Sequence, residues 1–380
     1  MPRLDVELSV DIERTPRVAQ VEGMFDVPLS KRQTASLHMD VPLSEKPWQV
    51  GLIVGPSGAG KSTAARTLFE GSVIDGYAWE PKKSLVDSFD SGLPIRTVTT
   101  ALSSVGFSSP PSWLKPFHVL SHGEKFRAVL ARALLDEREL VCVDEFTSAL
   151  DRQVAKIGSC AVAKAVRRDP RKRFVAVTCH EDIAEWLQPD WILEPHVSRF
   201  TWRELQRRPP IELEIRRVHH SLWRLFAPHH YLTGALNFRP AACFGAVLHG
   251  RVVAFDAWLP FFGRLRDAQK ARRGHRTVCL PDYQGVGIGR ALFDTVASMW
   301  AGLGFRAFSR TAHPAEIRSR VSGGNWRATS YGFQPGTGGK SALAVKFAKT
   351  RTVHRRAASF EWVGPPMARD LAEKLFHGTC

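Results

Sequence analysis

Two glycine-rich loops constrain this chain more than any other feature. Gly55-Pro56-Ser57-Gly58-Ala59-Gly60-Lys61-Ser62 lies in the first half of its 380 residues, and Gln284-Gly285-Val286-Gly287-Ile288-Gly289-Arg290 in the second. The first fits a nucleotide-binding P-loop without a mismatch, and the second has the form of a pyrophosphate-binding turn. Trp48–Val54 reads as a buried strand and Ser62–Phe69 as a helix starting directly after the glycines, which is the strand–loop–helix context a P-loop needs. There the glycines let backbone N–H groups wrap a phosphate and the helix N-terminus adds its dipole. Lys61 reaches the β and γ oxygens, and the Ser62 hydroxyl holds Mg²⁺. Two such loops imply two phosphate-bearing ligands, two domains and an ATP-gated group transfer.

Composition agrees with two domains. The apolar fraction of 44% and the 10% aromatics are those of a chain that buries cores. No uninterrupted apolar run reaches membrane-spanning length, and MPRLDVELSV lacks a signal-peptide core, so a soluble cytoplasmic protein without a membrane partner is expected. The six cysteines show no CxxC spacing; Cys142, Cys179 and Cys279 fall in apolar β-like runs and read as buried free thiols. The net charge of +16 is one-sided. Residues 201–380 carry 28 Lys and Arg against 11 Asp and Glu, whereas residues 1–200 carry 25 against 26. A basic half of this kind suits a polyanion such as DNA or tRNA, through counterion release; it also suits simple solubility or the phosphates of a small ligand.

Downstream of the P-loop, Leu120-Ser121-His122-Gly123-Glu124-Lys125 opens the helical run Phe126–Leu135. Ser121 and Glu124 have capping-box spacing, which by itself promises only a well-started helix. The apolar strand Leu140–Val143 ends in Asp144 and Glu145, suited to holding Mg²⁺ through water and to polarising an attacking water. Ser148-Ala149-Leu150-Asp151 follows, and the buried strand Phe174–Cys179 ends at His180.

In this order the set resembles the ATP-binding-cassette (ABC) ATPase family over about residues 20–195. The resemblance implies ATP contacts from Gly55, Ser57, Gly58, Gly60, Lys61, Ser62, Thr63 and Asp151, with Mg²⁺ on Ser62 and Asp144. Glu145 would serve catalysis and His180 would touch the γ-phosphate. Ser121, Gly123 and Glu124 would meet the nucleotide of the other subunit in a homodimer that sandwiches two ATP molecules. His122 and Glu124 replace the glycine and glutamine of the commonest signature, a change similar to that of non-transport members. No glutamine lies between Ser62 and Ser121, so the loop that addresses a membrane domain has no candidate, which argues against transport. Phe25 is a candidate for stacking on adenine or for a core position.

The second half begins after EPHVSRFTWRELQRRPP. Ala241–Leu248 and Arg251–Leu259 flank His249-Gly250 as a hairpin, and His275–Leu280 reads as a third strand. Pro281-Asp282-Tyr283 leads into the second glycine loop and the helix Ala291–Gly302, whose start offers unpaired N–H groups to a pyrophosphate. The GxGxG spacing is not the dinucleotide fingerprint, and a glycine loop alone is also compatible with a structural turn. The wider stretch Val278–Leu292 resembles motif A of the GNAT acyltransferase superfamily. Phe305–Ser309 resembles that fold's next strand, and Tyr331-Gly332-Phe333 its late tyrosine-containing turn; the resemblance spans about 211–350. It implies that Leu280, Gln284, Gly285, Val286, Gly287, Ile288, Gly289 and Arg290 bind acetyl-CoA or another acyl-CoA. Tyr331 is then a candidate acid for the leaving thiolate, or a packed aromatic. Asp256 or Asp282 is a candidate base, or a surface turn carboxylate. His313-Pro314 is a candidate for the acceptor cleft. The pairs His219-His220 and His229-His230 lack partners at metal spacing and suit packing or phosphate contact.

The expected architecture is α/β. An N-terminal ABC-type P-loop ATPase domain (1–195) is joined by a linker (196–210) to a C-terminal α+β GNAT-like domain with a mixed sheet (211–350). A basic C-terminal extension (351–380) follows. The expected function is ATP hydrolysis with N-acyl transfer to an amine on nucleic acid or a nucleic-acid-associated target; a clamp or remodelling ATPase whose second domain only binds acyl-CoA or recruits a partner is the alternative.

Overall fold

The structure is a computed structural model that describes residues 3–25, 32–230, 241–261, 270–333 and 356–378. The first half runs β1 (Arg3–Asp11), α1 (Pro16–Phe25), β2 (Arg32–Asp40), β3 (Val50–Val54), α2 (Lys61–Leu68), β4 (Val73–Ile74), α3 (Ile95–Ser104), α4 (Pro110–Trp113), α5 (His122–Leu134), β5 (Leu140–Val143), α6 (Arg152–Val166), β6 (Arg173–Thr178), α7 (Ala184–Leu187), β7 (Trp191–Glu194) and β8 (Arg199–Trp202). The second continues β9 (Glu214–Arg217), α8 (Trp223–Phe226), β10 (Ala242–Leu248), β11 (Arg251–Pro260), β12 (Ala271–Cys279), α9 (Ile288–Gly302), β13 (Arg306–Thr311), α10 (Pro314–Ser322), β14 (Trp326–Phe333), β15 (Arg356–Trp362) and α11 (Arg369–His377). By contacts the chain divides into unit 1, Met1–Ala78 with Arg132–Pro209, and unit 2, Trp79–Ala131 with Pro210–Cys380. Residues 79–131 therefore group with the C-terminal half and not with the P-loop, which departs from the contiguous 1–195 domain expected above. Among the described residues no helix is long and apolar enough to cross a membrane.

Unit 1 is built on a six-stranded sheet in the order β4-β5-β6-β3-β7-β8, parallel except for the β7–β8 pair. Its central strands are nearly continuous apolar runs, as parallel strands covered on both faces must be, and Val50–Val54 is buried at every position. A separate hairpin of β1 and β2 sends Leu4 and Met39 into the core that holds Ile53, Ala64, Val177 and Trp191. Strand β8 falls inside the stretch expected as linker: Arg199–Trp202 pairs in register with Trp191–Glu194.

Unit 2 holds a seven-stranded sheet in the order β14-β15-β13-β12-β11-β10-β9, antiparallel apart from β12 with β13. His249 and Gly250 both have positive φ, 49° and 76°, the signature of the tight turn that matches strand twist in a two-residue hairpin. Helix α9 buries Ile288, Leu292, Phe293, Val296 and Trp300 along one stripe against one sheet face, while Trp223 and Phe226 of α8 pack with Phe255 and Ala257 on the other. Strand β12 stays beside β13 only from Ala271 to Arg273, paired with Arg306 to Phe308; beyond that the two parallel strands part. The segment expected as a C-terminal extension is integral instead. Strand β15 inserts between β13 and β14, and Ala372 of α11 is buried in the same core as α9. Tyr331 lies within the edge strand β14 and not in a turn. Residues 334–355 and Cys380, covered by the expectations above, lie outside the described residues.

One close approach fixes the registry of β3 with β7. Gly51 pairs with Trp191, whose indole lies where a Cβ on residue 51 would sit, 2.0 Å from Cζ2. Gly51→Ala is expected to destabilise unit 1 by about 1–3 kcal/mol through overpacking. In urea melts this cost should shrink when Trp191→Leu is made first; an equal cost in both backgrounds would show that the indole is not the obstacle.

Candidate functional site

In unit 1 three sets of residues meet because their strands are neighbours. Strand β6 lies between β3 and β5, with Val54 level with Thr178 and Val143 level with Ala176. The P-loop after Val54, the carboxylates Asp144 and Glu145 after Val143, and His180 after Thr178 thus share the carboxyl edge of a parallel sheet, the usual ligand edge of such sheets. Gly58 and Gly60 hold φ of 78° and 76°, and Gly60 caps α2 in the left-handed conformation without a side-chain cap. The first N–H groups of α2 are therefore left for a ligand. Ser57 and Gly58 form the exposed crest of the loop, and Ser62 and Thr63 are half-buried on the first turn. Lys61 Nζ donates to Pro56 O at 2.7 Å, folded back over the loop.

The segment after β5 is strained. Glu145 and Thr147 have φ of 51° and 71°, unfavourable for side chains with a Cβ and most of all for a β-branched one. Ser148 Oγ donates to Glu145 Oε2 at 2.5 Å, and Glu145 N to Asp144 Oδ1 at 2.9 Å. Buried Thr147 lies 3.4 Å from both Thr178 Oγ1 and His180 Nδ1. Partial burial, then Arg152, hold the His180 imidazole below its ordinary pKa, so the ring is neutral at pH 7 and can accept or donate. Asp151 N-caps α6 by accepting from Gln153 N at 2.9 Å. Phe25 is 66% exposed on α1. Cys179 is also exposed, contrary to the buried thiol expected, because it sits one residue past the end of β6; Cys142, Cys160 and Cys243 are buried.

In unit 2 the Ser121–Glu124 capping box forms: Ser121 N donates to Glu124 Oε2 at 3.0 Å and Glu124 N to Ser121 Oγ at 3.3 Å. Glu124 is buried, and its other oxygen accepts from Ser112 Oγ at 2.7 Å, so this carboxylate is engaged within unit 2. Ser121 is exposed.

The second loop repeats the physics of the first. Gly285 and Gly287 have φ of 91° and 101°, and Gly287 caps α9 with no side-chain cap, leaving the N–H groups at the start of a 15-residue helix. Leu280, Val286 and Ile288 turn their side chains into the cores, so the loop presents backbone outward. Gln284 is committed elsewhere: Oε1 accepts from Ser108 N at 2.6 Å, and Nε2 donates to Cys279 O at 2.7 Å and to Ser109 Oγ at 3.2 Å. Arg290 pairs with Asp294 at 3.3 Å, and its guanidinium occupies the space beside Gly323. Near Thr311, a cavity of about 280 Å³ is lined by Thr99, Ser103, Trp113, His313 and Arg318.

Tyr331 and Asp256 are not brought to the loop, whereas Asp282 lies at its root. Tyr331 is 69% exposed on the sheet edge, with β15 and β13 between its strand and β12. Asp256 is no surface turn carboxylate: it is 0% exposed and accepts from Trp258 Nε1 at 2.5 Å and Thr277 Oγ1 at 2.8 Å. Burial pushes it up to about 7 against those hydrogen bonds. Asp282 contributes its carbonyl to Arg127 Nη2 at 2.8 Å. That residue, Arg127, escaped the sequence reading altogether. It is fully buried, and Nη1 also donates to Gly106 O at 2.7 Å and Gln284 O at 3.2 Å. His219 Nδ1 lies 2.9 Å from Ser221 Oγ, and among the described residues no group of His, Cys, Asp and Glu is placed to hold a metal ion.

Comparison with known proteins adds to these observations. No protein-family model matches the chain. It is similar to the ATP-binding protein YdiF of Bacillus subtilis, 31% identical over 153 residues, covering 35% of this chain and 24% of that protein. It is also similar to an uncharacterized ABC transporter ATP-binding protein of Haemophilus influenzae, 34% identical over 149 residues, covering 31% of this chain and 60% of that protein. The chain thus spans between 24% and 60% of the length of these two relatives. Among solved structures, a dimeric bacterial ABC transporter cassette aligns with a TM-score of 0.35 and 14% identity, over 45% of this chain and 92% of that one. The chain contains an ABC-type ATP-binding domain.

The raised pKa of Asp256 makes a signed prediction. The folded state holds this proton from the ordinary carboxylate range up to about pH 7, while the unfolded state has released it. Stability therefore falls as pH rises through that window, by about 1.4 kcal/mol per unit for this group. Asp256→Asn should remove that slope between pH 5 and 7 in denaturant melts; parallel profiles for both proteins would exclude a buried titrating Asp256.

Proposed function

We propose that the chain is an ABC-type ATPase whose second unit binds acyl-CoA and transfers the acyl group, acetyl in the simplest case, to an amine. The observation that carries the ATPase reading is the shared carboxyl edge of β3, β6 and β5, which holds the P-loop, His180, and Asp144 with Glu145. Bound there, ATP supplies a γ-phosphoryl group open to attack by water. Lys61 would leave Pro56 O for the phosphates, and the N–H groups of Gly58–Ser62 would wrap them. Ser62 and Asp144, both hard oxygen donors, would hold Mg²⁺. Glu145 would orient the water and His180 would bond the γ-phosphate, with Asp151 close by on α6. Ser121 and Gly123, at the start of α5, would meet a nucleotide held by a second copy, giving a homodimer.

The acyl-CoA reading is supported by two features of unit 2. The pairing of β12 with β13 ends at Arg273, short of the glycine loop. Helix α9 opens with uncapped N–H groups. Backbone at 285–290 would bind the pyrophosphate, and the unpaired stretch of β12 would align a thioester with an incoming amine. The surplus of basic residues in 201–380 supports DNA, tRNA or a bound protein as the amine's carrier. A binding-only role for this unit, within a clamp or remodelling ATPase, has one observation in its favour: Asp256 is sealed in the core and Tyr331 lies on a distant edge.

The test incubates full-length protein with labelled acetyl-CoA, Mg²⁺-ATP and separate pools of DNA, tRNA and protein. ATP hydrolysis should fall by on the order of 10²-fold in Glu145→Gln. Label should enter one pool, and Gly287→Glu should abolish that by placing a carboxylate on the anion loop. Acetyl-CoA binding without label in any pool would favour the clamp. Loss of ATP hydrolysis in none of Lys61→Ala, Glu145→Gln and His180→Ala would overturn the ATPase reading.

A further inference from the structure

Arg127 and Gln284 tie two motifs that the sequence places far apart. Arg127 lies on α5, the helix that Ser121 and Gly123 open, and Gln284 is the first residue of the second glycine loop. The guanidinium spans Gly106 O, Asp282 O and Gln284 O at 2.7, 2.8 and 3.2 Å. In return, the Gln284 amide grips Ser108 N and Ser109 Oγ on the strand of chain leading to α4. No carboxylate serves as Arg127's partner in these bonds; its charge is carried by main-chain carbonyls, whose positions it fixes. The approach is also tight. Gly106 has φ of 82°, and a Cβ there would lie 2.4 Å from Gln284 O. Asp282 and Gln284 immediately precede Gly285 and Gly287, whose conformation aims the N–H groups of α9. Arg127 therefore cannot move with α5 without carrying the root of the loop.

We propose that Arg127 is a positioning residue that couples the two ligand sites: nucleotide engaged at Ser121 and Gly123 resets the glycine loop at 285–290, and a phosphate-bearing ligand in that loop acts back on nucleotide binding. This rests on the ATPase reading given above, and reciprocity follows from linkage. A planar fork that binds carbonyls from two separate segments is a function lysine cannot copy. Burial lowers Arg127 to about 10, so the fork remains charged at neutral pH.

The test is amide hydrogen exchange on the full chain carrying Glu145→Gln, with and without Mg²⁺-ATP, followed at two peptides, 55–62 and 285–291. ATP is expected to slow exchange at 55–62 and to change it at 285–291 by about fivefold or more. Adding Arg127→Lys, or separately Gln284→Ala, should leave the first response intact and abolish the second. Gln284→Ala keeps the guanidinium in the core and so decides the matter if Arg127→Lys unfolds. Protection at 55–62 with no change at 285–291, or a loop response undiminished in both variants, would overturn the coupling. No protection at 55–62 would overturn the ATPase reading and the coupling with it. Failure of acetyl-CoA to protect 285–291 would remove the acyl-CoA reading alone, because the ATP arm does not use that ligand.

Discussion

Unit 2 depends on a charge in its interior. Taking a guanidinium out of water costs several kcal/mol unless its donors are met, and Arg127 offsets part of that cost with three carbonyls, from residues 106, 282 and 284, while its Nε is buried without a partner. Those carbonyls belong to stretches on opposite sides of the break between Ala131 and Pro210 in unit 2's sequence. A hydrophobic side chain at 127 would fill the volume but leave the same carbonyls buried and unpaired, a penalty of its own. The arrangement thus favours one relative placement of residues 106–109 and 282–284 over its neighbours, which nonpolar packing alone does less well.

The two glycine loops share a solution and differ in what surrounds it. In each, a left-handed glycine, Gly60 or Gly287, follows a strand and starts a helix that has no side-chain cap. Unpaired N–H groups and the helix dipole then favour an anion. Around the first loop stand Asp144, Glu145 and His180, with the strained φ values of Glu145 and Thr147 close by. Polar groups able to position water are concentrated there. Around the second, the side chains of Val286 and Ile288 point into the core and Gln284 is spent on structure. The first loop is thus ringed by polar side chains, whereas the second presents mainly backbone.

What was legible in the sequence was local. P-loop, capping box, carboxylate pair, hairpin turn and glycine loop are each set by a few consecutive residues, and each appears where its spacing put it. Non-local pairing was not legible. The alternation of Ala358, Phe360 and Trp362 was a strand signal, but the basic run before it made the segment read as an extension, and only the register shows β15 between β13 and β14. Strand β8 was hidden in the same way by the arginines and prolines around it. Arg127 left a clue as well: it lies on the stripe of α5 that buries Gly123, Leu130 and Ala131, and a charge on such a stripe needs buried partners.

The position of Asp256 bears on chemistry in unit 2 through its neighbour and not through contact. It faces Thr277 on β12, four residues before the turn that begins at Pro281, and its proton is held by burial and not by an ion pair. An acid buried in this way cannot reach a ligand at the surface of the unit. It can fix the Thr277 hydroxyl, whose single proton is donated to the carboxylate at 2.8 Å, so that its lone pairs are left as acceptors. Tyr331, by contrast, has exposure without proximity. Neither Asp256 nor Tyr331 combines reach with a free proton position, so transfer in this unit would depend on orientation and on backbone N–H groups more than on either of them.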